Sequence, residues 1–397
     1  MKLNPDWLAL SSTQKLIKAF ADAGKAGELR FVGGAVRDAL LGINAEDIDA
    51  ATSLLPEETT QLLEKSAIRV IPTGIKHGTV TALIDGKSFE ITTLRSDISC
   101  DGRHAEVAFT NDWQEDAARR DFTMNALYLG TDGELFDYFG GMEDARTGHV
   151  RFIGNSKERI TEDYLRILRF FRFFANYGKG EIDKEGLAAC FDFALMTENL
   201  SGERIAHEML KLLAAPKAFT ALKFMQISRV LEQICGFAIH LKNAMKRIPS
   251  NSELNLTLLL LSADITPADA LIILANRWRL SNGLKKTLSL LINHVNDISI
   301  DLPIAQQKHL LRTLGAEVFS SLIILKQALE PQENYQVMLR LISSWQPPKI
   351  PVCGDDLLKL GIKQGKELGE KLHKLEILWE ESDYTLTKED LLKLLIT

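Results

Sequence analysis

Cysteine is scarce in this chain. Its 397 residues hold four, Cys100, Cys190, Cys235 and Cys353, far apart and with no Cys-x-x-Cys pair. That excludes a disulfide-built scaffold and leaves reduced thiols in a cytoplasmic protein as the expectation. Long apolar runs are missing too: nothing reaches the roughly 18 residues a membrane helix needs. The most apolar region, Leu254 to Leu274, is broken by Asp264, Pro267 and Asp269. The opening Met1-Lys2-Leu3-Asn4-Pro5-Asp6 lacks the apolar core of a signal peptide, so a soluble chain with no membrane association is expected. Positive charge is not in excess either. A net charge of −6 excludes a uniformly basic nucleic-acid binder, though a local basic groove can coexist with an acidic whole. From Gly186 onward the pattern is helical, with no strand series and no internal repeat.

A chain of this length exceeds one ordinary core and implies two to four domains or subdomains. The rest is organised around Phe31-Val32-Gly33-Gly34-Ala35-Val36-Arg37-Asp38-Ala39-Leu40-Leu41-Gly42, followed closely by Glu46-Asp47-Ile48-Asp49-Ala50. An apolar triplet, a glycine pair and a helix from Ala35 closed by Gly42 read as strand, turn and helix. Gly33 and Gly34 let backbone N–H groups approach an anion closely, and Arg37, one helical turn in, offers it a bidentate partner. Asp47 and Asp49 sit two apart in a strand, so their carboxylates face one way. Hard oxygens on one face suit Mg²⁺, held by one or two carboxylates together with substrate phosphates.

Around this corner, Ser11–Gly24 and Pro56–Ala67 read as helices. Arg69–Ile71, Thr79–Ile84, Phe89–Thr93, Val107–Phe109 and Ala126–Leu129 read as strands, closed by a hairpin at Thr131-Asp132-Gly133. Between the first two strands lies a turn-rich segment, Pro72 to Gly78, carrying Lys76 and His77. Glu90, on the alternating strand Phe89-Glu90-Ile91-Thr92, is a candidate third carboxylate. Arg95 to Asp112 has little periodicity and reads as a loop. In Arg119-Arg120-Asp121-Phe122, adjacent arginines do not share a helical face, so a turn or helix edge aims one or both at a ligand. Further on, Thr161 is a candidate N-cap for a helix from Glu162 to Phe174 in which Asp163, Arg166, Arg169 and Arg172 step by three. Each step drifts by about 60°, so the row spirals while Tyr164, Ile167, Leu168, Phe171 and Phe174 gather on the other face.

From Phe31 to Tyr177 the chain resembles the head of the DNA-polymerase-β-like nucleotidyltransferases, in the class that contains bacterial tRNA CCA-adding enzymes and poly(A) polymerases. The resemblance implies an α+β fold: a nucleotidyltransferase head with a mixed β-sheet over residues 1–142, a base-reading helical neck over 143–215, and an all-α body and tail that bind tRNA over 216–397. It implies two Mg²⁺ ions held by Asp47 and Asp49, with Gly34 and Arg37 on the phosphates and Arg120 and Asp121 at the sugar. The Arg95–Asp112 segment resembles the loop such enzymes need when they switch from C to A. Glu162-Asp163-Tyr164-Leu165-Arg166 matches the family's Glu-Asp-x-x-Arg motif for the incoming base. Chemistry supports that role: cytosine and adenine each present an amine donor beside a ring-nitrogen acceptor, which an aspartate and an arginine complement. Uracil and guanine present the reverse, and each failed buried pairing costs about 1–3 kcal/mol. Arg169 and Arg172 would hold the nucleotide or the helix.

The Ser201-Gly202-Glu203-Arg204 stretch resembles the family's Glu-Arg brace and is expected to be structural. Arg277, Arg279, Lys285 and Lys286 beside Trp278 are a candidate contact for tRNA phosphates. Gly354 to Gly365 resembles a helix–turn–helix of the family tail, with Gln364 where a proline is frequent. No His-Asp dipeptide occurs, so the phosphohydrolase domain of some bacterial relatives is not expected. The implied function is template-independent addition of CCA to the tRNA 3′ end, at the acceptor arm, from CTP and ATP. The alternatives are a poly(A) polymerase or partial CC- or A-adding enzyme of the class, or a non-catalytic RNA-binding protein on the same scaffold.

Overall fold

The computed structural model describes residues 1–45, 47–71, 74, 78–101, 104–241 and 248–395, with the backbone alone at 97–101 and 104–107. Glu46, most of the Pro72–Gly78 segment including Lys76 and His77, and Gly102-Arg103 of the Arg95–Asp112 segment lie outside the described residues. The chain divides into two compact units, one of residues 1–239 and 273–280, the other of 240–272 and 281–397.

The first unit opens with α1 (Ser11–Asp22), and its sheet takes up the strands expected from the sequence except Val107–Phe109. The strands β1 (Leu29–Val32), β2 (Asp49–Thr52), β3 (Arg69–Ile71), β4 (Thr79–Ile84), β5 (Lys87–Thr93), β8 (Leu127–Gly130) and β9 (Leu135–Asp137) form one sheet in the order β3-β4-β5-β2-β1-β8-β9. Only β2 and β5 pair in parallel, so the sheet is mixed. Strand alternation sends Phe31, Ala50, Phe89, Ile91, Leu127 and Leu129 to one face, where α1 and α3 (Pro56–Lys65) cover them with Leu16, Phe20, Leu62 and Leu63. The opposite face carries Val32, Ala51, Leu94 and Tyr128 and packs on Ala117 and Ile153. Asp49 precedes Ala50, so it stands on this second face, paired in register with Val32.

One expectation fails. Arg95 to Phe109 is not a loop but a two-stranded ribbon, β6 (Arg95–Asp101) with β7 (His104–Phe109), separate from the main sheet. The strand expected at Val107–Phe109 falls within β7, while the remainder of the ribbon has too little alternation in its sequence to read as strand.

The unit continues through α2 (Gly34–Leu40), α4 (Trp113–Ala118), α5 (Gly141–Thr147), α6 (Ser156–Glu162), α7 (Leu165–Tyr177), α8 (Lys184–Asp192), α9 (Gly202–Ala214), α10 (Ala218–Ile227) and α11 (Val230–Cys235). Helix α7 buries Ile167, Leu168, Phe170, Phe171, Phe173 and Phe174. The single long helix expected from Glu162 breaks in two at Asp163 and Tyr164. Asn155 caps α6 through the N–H groups of Lys157 and Glu158, and Asp163, in extended conformation, accepts from Leu165 N at 3.0 Å and starts α7 afresh.

In the second unit the described residues are helical. They form α12 (Ser252–Leu260), the first part of α13 (Pro267–Trp278), α14 (Asn282–His294), α15 (Ile304–Leu329, interrupted at Gly315), α16 (Gln336–Ser344), α17 (Gly354–Lys359), α18 (Lys366–Glu381) and α19 (Lys388–Lys393). A small core of Val352, Leu357, Leu375, Trp379 and Leu391 closes its end. Among the described residues no helix is long and apolar enough to cross a membrane.

Candidate active site

A cavity of about 810 Å³ in the first unit gathers the glycine turn, Asp47, Asp49, Arg119, Arg120, Asp121, Asp163, Arg166, Arg169 and Arg172. Residues some 140 apart in sequence thus share one wall. A second cleft, about 880 Å³, lies between α1 and α3 on the other side of the sheet. Its Asp22 and Asp85 are already paired with Lys18 and Lys15, and it holds no comparable set.

At the floor, Asp47 and Asp49 are exposed while Ile48 and Ala50 between and after them are buried, which places the two carboxylates on one face. The Ala50↔Ile91 register brings Glu90 alongside. The surrounding protein, then the charges of Glu90 and Asp47, push the Asp49 carboxyl above its usual range, against the pull of Arg120. Crowded like charges of this kind favour a bound cation. Among the described residues no group of three side chains forms a ready metal cage. The donor set therefore fits a hard cation that takes its remaining ligands from substrate oxygens.

Beside the floor, Gly33 adopts φ 68° and ψ −126° as the N-cap of α2, a conformation that side chains strain to reach. Arg37 is 5% exposed and braces the turn from beneath, donating to Asp38 Oδ1 at 2.9 Å, Asn125 Oδ1 at 2.6 Å and the Tyr177 hydroxyl at 2.6 Å. The side chain expected at the phosphates is thus engaged as an internal brace.

Asp116, 1% exposed, organises the adjacent wall. It accepts from Arg119 at 2.7 and 2.9 Å, Arg120 at 3.2 Å, the Tyr128 hydroxyl at 2.7 Å and the backbone N–H of Arg95, at the root of β6, at 3.3 Å. Arg120 also donates to the Tyr128 hydroxyl at 3.2 Å, and its Nη1 lies beside the glycine turn. Burial pushes the Asp116 carboxyl up, but Arg120, Arg119 and Tyr128 outweigh it and hold it below the ordinary range. A depressed folded pKa means stability that is fully present above the unfolded value, near 3.8, and is lost as pH falls below it. Asp116→Ala is therefore expected to cost about 3–5 kcal/mol in urea unfolding at pH 7, because it strands two guanidinium groups. The gap from the parent protein should close as pH drops below about 4.

Asp121, 9% exposed, is likewise engaged by the chain, accepting from Phe122 N at 2.8 Å, Asn125 at 3.0 Å and Arg169 at 2.7 Å. Burial raises its pKa, and Arg169, Asn125 and Phe122 N–H together lower it below the usual range.

Asp163 and Arg166 also line the cavity. Asp163 Oδ2 accepts from Arg204 Nη2 at 2.6 Å. Arg166 is oriented by Glu162 and by the carbonyls of Arg159 at 2.7 Å and Arg119 at 3.0 Å, leaving its Nε hydrogen uncommitted among the described residues. Arg169 and Arg172 both reach Glu208 of α9, at 3.8 and 2.5 Å. Arg204 and Glu208 thus do more than brace the neck: Arg204 fixes Asp163, and Glu208 fixes Arg169 and Arg172, all of which line the cavity. The sequence assigns no site role to Asp116, Asn125, Tyr177 and Lys211, and only a structural one to Glu208, within the Ser201–Leu210 stretch, because their placement depends on contacts across tens of residues.

Residues 29–151 match the family model of the Poly A polymerase head domain, and residues 181–235 match one described as "Probable RNA and SrmB- binding site of polymerase A". The human "CCA tRNA nucleotidyltransferase 1, mitochondrial" is 35% identical, with 92% of this chain and 86% of that protein aligned. The CCA-adding enzyme of Enterococcus faecalis is 34% identical over 88% of this chain and 87% of its own length. This chain belongs to the CCA-adding enzyme and poly(A) polymerase family. The resemblance carried by the glycine turn and the paired aspartates therefore holds. The family's fold is shared as well: the Bacillus stearothermophilus CCA-adding enzyme in complex with CTP superposes with TM-score 0.73 at 25% identity, covering 94% of both chains. The Thermotoga maritima CCA-adding enzyme complexed with tRNA has the same fold at TM-score 0.69 and 19% identity. In this family member the head match contains the glycine turn, Asp47, Asp49 and Arg120, while Arg204, Glu208 and Lys211 fall in the second match.

The basic group near Trp278 reads differently in the structure. Trp278 is buried and donates to Ile234 O at 2.8 Å, and Arg277 donates to the carbonyls of Thr197, Glu198 and Leu200. Arg279 pairs with Glu203 at 2.9 Å. These two arginines close a packing seam, where the backbone of Gly202 comes so near Arg277 O that a side chain there would sit 2.3 Å away. Lys285 and Lys286 belong to the other compact unit.

Proposed function

We propose that this enzyme adds CCA to the 3′ end of tRNA from CTP and ATP, without a nucleic-acid template. The observation that carries the reading is one cavity lined both by a glycine turn with paired carboxylates and by an oriented aspartate–arginine pair. The first set suits a triphosphate and the second suits a base with an amine beside a ring nitrogen.

In this mechanism Asp163 accepts the amine of cytosine or adenine and Arg166 donates to the neighbouring ring nitrogen, so the protein takes the place of a template. Asp116 holds Arg120 against the sugar region, and Asp121 fixes Arg169 beside it. Gly34 and Arg37 form the phosphate corner. Asp47 and Asp49, with Glu90 alongside, would hold two Mg²⁺ ions, which would supply activation of the attacking oxygen and neutralisation of the departing one. The tRNA 3′-hydroxyl attacks the α-phosphate in line, its bond to the β-phosphate breaks, and pyrophosphate leaves. Residues 1–142 serve as catalytic head, 143–215 as base-reading neck and 216–397 as the part that carries the acceptor arm of tRNA. A cytoplasmic setting suits the buried free thiols of Cys190 and Cys235.

The test is incorporation of each labelled nucleotide into a tRNA that lacks its terminal CCA. CMP and then AMP should be incorporated in the presence of Mg²⁺ and not after chelation, with UMP and GMP near background. Incorporation of all four would refute base reading by the protein. The head-domain model also bears the poly(A) polymerase name, and that reading predicts AMP incorporation in long runs without any CTP.

A further inference from the structure

Among the described residues seven cationic side chains line the cavity, and six are already matched by carboxylates. Arg37 pairs with Asp38, Arg119 and Arg120 with Asp116, Arg166 with Glu162, Arg169 with Asp121 and Arg172 with Glu208. The seventh, Lys211, is exposed, and among the described residues it has no hydrogen-bond or ion-pair partner. Among the described cationic residues of the cavity, its charge is the one left uncompensated.

Its position along the cavity follows from α9. Arg204, Glu208 and Lys211 are spaced four and three apart and form one stripe of that helix. Arg204 meets Asp163 just before α7 begins, and Glu208 meets Arg169 and Arg172 midway along α7. Just past α9, Lys217 donates to Ala175 O at 3.0 Å and to Gly178 O at 2.5 Å, at the end of α7. The two helices therefore run side by side in the same direction. Lys211 lies one turn beyond Glu208, toward the end of α7 where the Tyr177 hydroxyl meets Arg37 of the glycine-turn helix. That is the opposite end from Asp163 and Arg166.

We propose that Lys211 binds the β- and γ-phosphates of the incoming nucleotide, closing over the phosphate corner from the α9 side. This rests on the nucleotide-addition reading above. A compact ammonium on a flexible stem suits the task, because it follows phosphates that shift when a pyrimidine is exchanged for a purine. Since the triphosphate is common to CTP and ATP, the contact is blind to the base. It raises affinity for both substrates and chooses between neither.

The experiment is steady-state kinetics of the full chain and its Lys211→Ala and Lys211→Arg variants on a tRNA lacking CCA, with thermal unfolding as a control. Lys211→Ala should raise KM for CTP and for ATP by about tenfold each, the size of one charge-assisted contact. It should weaken inhibition by added pyrophosphate by a similar factor, while KM for tRNA stays near the parent value and Lys211→Arg recovers most of the loss. Unchanged nucleotide KM values would overturn the proposal, as would a rise confined to the KM for tRNA, which would place Lys211 on RNA phosphates. A parent protein that adds no nucleotide would instead overturn the reading on which the proposal rests.

Discussion

Asp49→Ala is expected to abolish addition of every nucleotide, by about 1,000-fold or more, while leaving the fold intact. The size follows from losing several kcal/mol of charge stabilisation at the reacting phosphate, each 1.36 kcal/mol being about a factor of ten. Stability should move the other way. Asp49 sits beside Asp47 and Glu90 with its carboxyl pushed above the usual range, so its charge opposes folding, and removing it relieves that repulsion. The variant should therefore unfold at the same temperature as the parent protein or slightly higher, the pattern expected where activity is maintained against stability. Primer extension and thermal unfolding on one preparation check both halves. Retained turnover would refute the assignment of Asp49, and a large drop in melting temperature would mean that the carboxylate serves the fold.

The second large effect belongs to Asp163. Replacing it with alanine removes the acceptor for the exocyclic amine and leaves Arg166 to meet the base alone. With about 1–3 kcal/mol for each buried group left unpaired, kcat/KM for CTP and ATP should fall about 100-fold, and their advantage over UTP and GTP should narrow. Because Asp163 also starts α7 and holds Arg204, a purely structural loss is the competing explanation. Arg204→Ala separates them: it removes the same ion pair but keeps the acceptor, so overall activity falls while the ratio of CTP to UTP use is largely kept. If both variants lower all four nucleotides in proportion, Asp163 does not read the base.

Much of this was legible in the sequence where the signal is local. The glycine pair needs a positive φ only at Gly33, so the turn follows from short-range geometry, whereas Asp47, expected in the strand with Asp49, lies in a bend just before the strand that Asp49 opens. The arginine row of α7 was legible for the same reason. Its start was not: Asn155 caps a separate helix, and Asp163, read as a helical residue, spends one oxygen starting the next. The β6–β7 ribbon was legible only at Val107–Phe109, because the rest of its sequence carries little alternation. Asp116 looks like one more acid on a surface helix, four residues before Arg120. Nothing in that spacing says that Tyr128 and the root of β6 will close over it. Arg204 reads equally well as a helix brace. Its meeting with Asp163, 41 residues away, depends on α8 turning the chain so that α9 lies along α7.

The most direct test of the central claim is product length. The purified protein would be given Mg²⁺ and a tRNA lacking its last three nucleotides, with CTP alone, ATP alone or both, and the products would be resolved to single nucleotides. The account predicts a stop after two additions with CTP and after three with both. A long ladder with ATP alone, or no product under any condition, would contradict it.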